Sequence, residues 1–381
     1  MIYFDNAATT KYKPQDVINA FVDFVTEIGV SPGRGSYGLG IEASRMLYKS
    51  RMTVAKYFGL EDPNVIFTKN STEAINLFFR GYLKKGDHVV ISSYEHNAVL
   101  RPLEAMRQEG IIEYSVVDRN DINESPDYLI TKYFKQNTRL IAFTLASNLT
   151  GRVVFNKNLF QAASEIGVEG FVDASQGAGK IRLDMINDNI DYLAFTGHKD
   201  LRGLPGVGGL CSRNELVFEP LIQGGTGVLG HEKVNPSVYP ERYEAGTLNM
   251  PAIWALKKAI DFTTGCFAWS KEHETELMNY LVNRLQEIDG IMIYDMEYDR
   301  VSTIAFNLEG FTSNEIVQLL DKKDICTRGG IHCAILAHEA LSTTDIGAVR
   351  VSLCDKNTVN EIDVLIDTLK EIGGKDVCSF L

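Results

Sequence analysis

Between about Asn64 and Arg213 the chain alternates short β-branched or apolar runs with stretches of helical periodicity, and no other feature constrains its fold so tightly. The runs read NVIFT, HVVISS, IIEYSVV, RLIAFTL, GFVDAS, YLAFTG and GVGGLC. Such alternation builds a mostly parallel sheet covered by helices on both faces, because each helix returns the chain to start the next strand in the same direction. The expectation is an α/β fold with seven strands. In STEAINLFFRGYL, between two of the runs, Ile75, Phe78, Phe79 and Tyr82 recur at helical spacing and give that helix one buried face.

After about Pro251 the texture changes. A long helical region carries an apolar stripe of Leu277, Tyr280, Leu281, Leu285 and Ile288, and the strand candidates IMIYDM, STIAFNL and AVRVSL lie among further helices such as NTVNEIDVLIDTLKEI. This predicts a large domain over residues 15–249 and a smaller α+β domain over 250–381, with residues 1–14 packing on the smaller one. A chain of 381 residues with 45% apolar content is long enough for two domains that share one site. The Gly/Pro-rich stretches at Gly203–Gly209 and Gly224–Gly230 read as loops near that site rather than linkers.

The formal net charge is -12 and there is no Lys/Arg-dense run, which argues against a nucleic-acid or anionic-membrane surface. Small molecules and other proteins are the expected partners. The start, MIYFDNAATT, has no basic segment leading into an apolar one, and no apolar run is long enough to span a bilayer, so a cytoplasmic location is expected. Cys211, Cys266, Cys326, Cys333, Cys354 and Cys378 form no CxxC pair and no dense framework. They read as reduced thiols, with no structural metal.

Five segments carry candidate chemistry. In TKNSTEAIN, Asn70 is placed to cap a helix with Glu73 three positions on, and Ser71 and Thr72 add hydroxyls at a terminus that favours an anion. Taken alone this is the pattern of an ordinary capped helix. In YLAFTGHKDLRGLPGVGG, Thr196, His198 and Lys199 follow an apolar strand and precede a Gly-rich loop, at the carboxyl end of a strand where ligands of open α/β sheets bind. A lysine there has the surroundings of a Schiff-base amine, although most lysines are surface residues. Asp173, ending the run GFVDAS, either caps the turn that follows or meets a buried cation such as a pyridinium nitrogen. His96, in SYEHNAVL, is either a polar turn residue or a catalytic group that lies over a planar ring or moves protons. Cys333 follows Gly329 and Gly330, with Arg328 and His332 nearby in an exposed loop, and positive neighbours favour a thiolate. A small buried hydrophobe is the usual fate of a cysteine.

In this order, from DNAATT to RVSL, the segments resemble the class V aminotransferase family, and within it the short-loop cysteine desulfurases to which the SUF-type desulfurases and selenocysteine lyases belong. The resemblance implies the pyridoxal 5'-phosphate (PLP) transferase fold of type I. It also implies that Lys199 holds PLP as an imine, Asp173 pairs with the ring nitrogen and His96 stacks on the ring. Asn148 and Gln176 would approach the ring hydroxyl, Asn148 on the substrate side, while Ser71, Thr72, Thr196 and His198 form the phosphate cup. Thr247, in RYEAGT, would reach the phosphate of the neighbouring subunit in a homodimer. Arg350, in AVRVSL, would grip the substrate carboxylate with its planar fork.

The implied reaction takes L-cysteine, moves its α-proton with the lysine amine, and transfers its sulfur to Cys333, leaving a persulfide for an acceptor protein and releasing alanine. After Cys333 the chain continues AILAHEAL, and after Arg350 VSLCDKNT, where relatives carry an aromatic-containing stretch. Cys354 in that second stretch reads as a structural thiol at a strand end, with a second functional thiol as the alternative. The alternatives are a selenocysteine lyase, a cysteine sulfinate desulfinase or a small-amino-acid transaminase on the same scaffold, and, in a different class, a non-catalytic PLP-binding sulfur relay.

Overall fold

The computed structural model describes residues 1–33, 35 and 37–374; Cys378 lies outside them. The strands, in chain order, are β1 (Ile2–Tyr3), β2 (Val65–Thr68), β3 (Asp87–Ser92), β4 (Ile112–Val117), β5 (Thr138–Thr144), β6 (Glu169–Asp173), β7 (Tyr192–Thr196), β8 (Gly208–Ser212), β9 (Ile291–Ile293), β10 (Thr303–Leu308), β11 (Ile325–Cys326) and β12 (Val349–Ser352). Strands β2 to β8 correspond to the seven apolar runs and form one sheet in the order β2-β8-β7-β6-β5-β3-β4. Only β8 runs against its neighbours, so the expected mostly parallel seven-stranded sheet is present.

Alternation along these strands divides the core. Phe67, Val90, Ile141, Phe143, Val172 and Phe195 point into one hydrophobic layer, while Ile66, Val89, Ile91, Leu140, Ala142 and Phe171 point into the other. Successive side chains of a strand project to opposite faces, and a sheet covered on both faces needs apolar residues at every position. The helix Ser71–Tyr82 buries Ile75, Phe78 and Phe79 as its periodicity predicts. Phe78 stacks on Phe171 with centroids 5.0 Å apart. Strand β8 fits between β2 and β7 because it lacks side chains where the backbones converge. A Cβ on Gly208 would come within 2.6 Å of the Phe195 carbonyl oxygen.

The helix Met250–Gln286 belongs to two cores. Its first half contributes Ile253, Leu256 and Ile260 to the large sheet's layer, and its second half contributes Leu277, Leu281 and Leu285 to a separate cluster. That cluster covers a three-stranded antiparallel sheet, β12-β10-β9, with the helices Ser313–Asp321 and Val359–Gly373. The N-terminal strand β1 adds a parallel pairing to β11, with Ile2 opposite Ile325 and Tyr3 opposite Cys326. Among the described residues no helix is long and apolar enough to cross a membrane, and no group of side chains is arranged to hold a metal ion.

Candidate active site

The carboxyl ends of the parallel strands converge where β4 and β5 leave β3 in opposite directions, the place where open α/β sheets leave a crevice. A cavity of about 220 Å³ lies there, lined by Asn70, Ser71, Thr72, His96, Thr144, Asn148, Asp173, Ser175, Gln176, Thr196, His198 and Lys199. Residues separated by more than a hundred positions meet because each ends a strand or opens the helix after it.

Asn70 caps the helix Ser71–Tyr82 by accepting the Glu73 amide at 3.0 Å, and Glu73 accepts the Lys69 amide at 2.7 Å. This leaves Ser71 and Thr72 at the free end of the helix on the cavity wall. Asp173 does what the turn-capping reading anticipated, since its Oδ1 accepts from the Ser175 amide at 2.9 Å and the Ser175 hydroxyl at 2.5 Å. Its Oδ2 takes no hydrogen bond among the described residues, so a second partner is compatible with the cap. Thr196 Oγ1 and Asn148 Oδ1 are buried with no hydrogen-bond partner among the described residues. Buried polar atoms are nearly always satisfied. An orphaned amide oxygen and an orphaned hydroxyl on the wall of one cavity therefore mark a place for a polar ligand.

Burial strips water from the Lys199 ammonium and the Arg350 cation adds repulsion, so its pKa is held below the usual lysine range despite Asp173 and Asp200. An amine that is neutral part of the time is what imine formation requires. His96 caps the helix Asn97–Gln108, its Nδ1 accepting from the Ala98 amide at 3.0 Å. The neutral ring therefore carries its proton on Nε2, and burial with the nearby Lys199 charge lowers the pKa to about 4. His198, lowered to about 4 by burial and the Lys199 and Lys13 charges, is neutral as well.

Arg350 and Cys333 approach from the smaller unit and do not line the cavity itself. Arg350 is anchored by the Asn148 carbonyl at 2.9 Å. The Asn97 amide donates to the Cys333 carbonyl at 2.8 Å, and Asn148 Nδ2 donates to the His332 carbonyl at 2.6 Å. The Cys333 loop is thus fastened beside His96. His332 and Cys333 have φ of 55° and 56°, a left-handed conformation that costs non-glycine residues of order 1 kcal/mol each. The two clamps hold it there, and Cys333 remains exposed.

The structure corrects the expectation that Arg328 and His332 act as free positive neighbours of this thiol. His332 is half-buried with its Nε2 on the Ala348 carbonyl, and desolvation with the Arg350 charge lowers its pKa to about 3, so it is neutral. Arg328 is paired with Asp5. Thr247 is exposed and lies on the wall of a separate, open cavity of about 1000 Å³. Cys354 is buried, with burial raising its thiol pKa.

Two contributors were not singled out in the sequence. The DNAATT segment lies along the site: the Ala7 carbonyl accepts from Gln176 Nε2 at 2.8 Å, and the Thr10 hydroxyl donates to the Lys199 carbonyl at 2.8 Å. Glu95, next to His96, is fully buried and accepts from the Thr144 amide at 2.8 Å. Burial raises its pKa to about 8. The only sequence signal for Glu95 is an acid two residues past the strand run HVVISS, at a position where exposure is the usual expectation.

The family model for aminotransferase class-V matches residues 2–365. The chain belongs to that family. Among its class V relatives, a probable cysteine desulfurase of Methanothermobacter thermautotrophicus is 33% identical, with 98% of this chain and 95% of the relative aligned. Another, from Borreliella burgdorferi, is 30% identical over 98% of this chain and 92% of its own length. Of solved structures, the apo cysteine desulfurase from Thermococcus onnurineus NA1 superposes with a TM-score of 0.89 at 27% identity, covering 98% of this chain and 94% of that one. The cysteine desulfurase CsdA from Escherichia coli gives 0.83 at 26% identity, covering 97% and 94%. The class V resemblance read from the motifs and the seven-stranded α/β fold are both borne out.

Proposed function

We propose that this class V protein is a PLP-dependent cysteine desulfurase that converts L-cysteine to L-alanine, collects the sulfur as a persulfide on Cys333 and passes it to an acceptor protein. The observation that carries the reading is the Asn97–Cys333 backbone hydrogen bond, which holds a thiol-bearing loop against the helix capped by His96. A transaminase has no use for a thiol there. The desulfurase names of its relatives and structural neighbours support the same choice.

The cavity suits PLP: a carboxylate at Asp173 with one oxygen that takes no hydrogen bond among the described residues, an orphaned acceptor at Asn148, an orphaned hydroxyl at Thr196, and a helix terminus with two hydroxyls. Lys199 would hold it covalently, Asp173 would meet its ring nitrogen, and His96 would lie against the ring. Asn148 and Gln176 would face the ring hydroxyl, and Ser71, Thr72, Thr196 and His198 would take the phosphate. When bound, the cofactor supplies an electron sink for the substrate's α-carbon.

Arg350 binds the substrate carboxylate, and the Lys199 amine takes the α-proton. The Cys333 thiolate attacks the substrate sulfur. A sulfur–sulfur bond forms, the carbon–sulfur bond breaks, and the bonding pair stays on the carbon skeleton, which is protonated and leaves as alanine. The exposure of Thr247 supports a homodimer in which that residue completes the neighbouring subunit's phosphate site. The decisive measurement is alanine and sulfide release from L-cysteine by Cys333→Ala. A desulfurase loses turnover, a selenocysteine lyase keeps turnover of L-selenocysteine, and a transaminase is indifferent. A non-catalytic relay shows no turnover even in the unaltered protein supplied with acceptors.

A further inference from the structure

Asp5 has no role in the reading above, yet its carboxylate sits between two guanidiniums. Its Oδ1 accepts from Arg350 Nη2 at 2.6 Å and, more weakly, from Arg328 Nε at 3.3 Å, and its Oδ2 accepts from Arg328 Nε and Nη2 at 3.0 and 2.8 Å. Three distant segments meet at this point. The backbone of Asp5 bridges Ser352, and Arg328 and Arg350 exchange backbone hydrogen bonds at 3.3 and 2.7 Å.

The Arg350 side chain is 3% exposed, and apart from Asp5 its hydrogen-bond acceptor among the described residues is the Asn148 carbonyl on Nη1. Its Nε is buried with no hydrogen-bond partner among the described residues. A guanidinium fixed through both Nη atoms, with an unused donor on Nε, is oriented but not saturated. Asp5 leaves it unsaturated because it gives Arg350 one oxygen only; a fork closed by a carboxylate needs both oxygens on the same guanidinium. Arg328, whose side chain is 51% exposed, draws the other oxygen away.

We propose that Asp5 is the positioning residue for the substrate carboxylate, setting the plane of the Arg350 guanidinium so that its unpaired Nε–H meets the incoming amino acid. Arg328 takes part by holding Oδ2 clear of that fork. The inference rests on the assignment of Arg350 to the substrate carboxylate. It assigns specificity for an α-carboxylate to a contact 345 residues apart in sequence.

Steady-state kinetics of the holoenzyme with L-cysteine test it, using Asp5→Asn, Asp5→Glu and Arg350→Gln. Loss of one charge-assisted hydrogen bond that orients the arginine is expected to raise KM on the order of tenfold in Asp5→Asn, with kcat within about threefold of the parent. Asp5→Glu keeps the charge and should recover most of the loss, leaving KM raised by roughly two- to threefold. A merely structural role would lower kcat and active-enzyme content without this split. An unchanged KM in Asp5→Asn overturns the proposal, and so does a lowered one, which would make Asp5 a competitor of the substrate. If Asp5→Asn does not fold, Asp5→Glu decides alone: KM raised with kcat retained supports the proposal, and an unmoved KM overturns it. Arg350→Gln separates the two levels. If its KM is also unmoved, the carboxylate assignment to Arg350 has failed; if its KM rises while that of Asp5→Asn does not, only the role of Asp5 has.

Discussion

Replacing Glu95 by Gln should make the protein more stable at alkaline pH and leave it nearly unaffected at acid pH. Glu95 is fully buried, and its Oε1 accepts from the Ser92 hydroxyl at 2.5 Å and the Thr144 amide at 2.8 Å, while Oε2 has no partner among the described residues. Burial raises its pKa from 4.5 to about 8, and Asp173 adds repulsion against the ionised form. A carboxyl whose folded pKa lies above its unfolded value contributes fully to stability below about 4.5 and loses that contribution as the pH rises through about 8. At 1.36 kcal/mol per unit, linkage between pH 5 and pH 8 amounts to roughly 3–4 kcal/mol, an order-of-magnitude figure for one fully buried group. A neutral amide of the same shape escapes that loss. The assay is urea unfolding of both proteins at pH 5 and pH 8, comparing the difference between them so that other titrating groups cancel. If the difference is the same at the two pH values, Glu95 is not held neutral and the reasoning is refuted.

Two further outcomes follow from local geometry. Asn70→Ala removes the acceptor of the Glu73 amide and should cost about 1 kcal/mol, read as a lower urea midpoint at unchanged slope. In the native protein a thiol reagent should modify the exposed Cys333 before Cys211 and Cys354, which are buried with thiol pKa values raised by burial; equal rates would show that the Cys333 loop is closed over.

Much of the architecture was legible because it depends on short-range pattern. Every strand of the large sheet coincides with an apolar run, and the buried face of Ser71–Tyr82 follows its periodicity. The strand β11 was missed, since two residues held by pairing with β1 carry no periodic signal. The positions of Lys199, Asp173 and His96 were legible for a related reason: each ends or follows an apolar run, and the carboxyl ends of parallel strands share one edge of the sheet, whereas Asn148 came only from the class V resemblance. Charge states were not legible. Arg328 and His332 looked like two cations beside Cys333, whereas one is spent on Asp5 and the other is neutral.

The order of apolar runs and the residues that end them thus determined a parallel sheet with a lysine, an acid and a histidine on one rim, because strand direction and side-chain alternation are properties of consecutive residues. Only the tertiary structure decided which groups are ionised and which guanidinium is held for use. Asp5 reaches Arg350 and Arg328, and Glu95 loses its solvent, through contacts that form once distant segments meet. The energy of a charge is set by its distance to other charges and to water, and neither distance exists until the chain has folded.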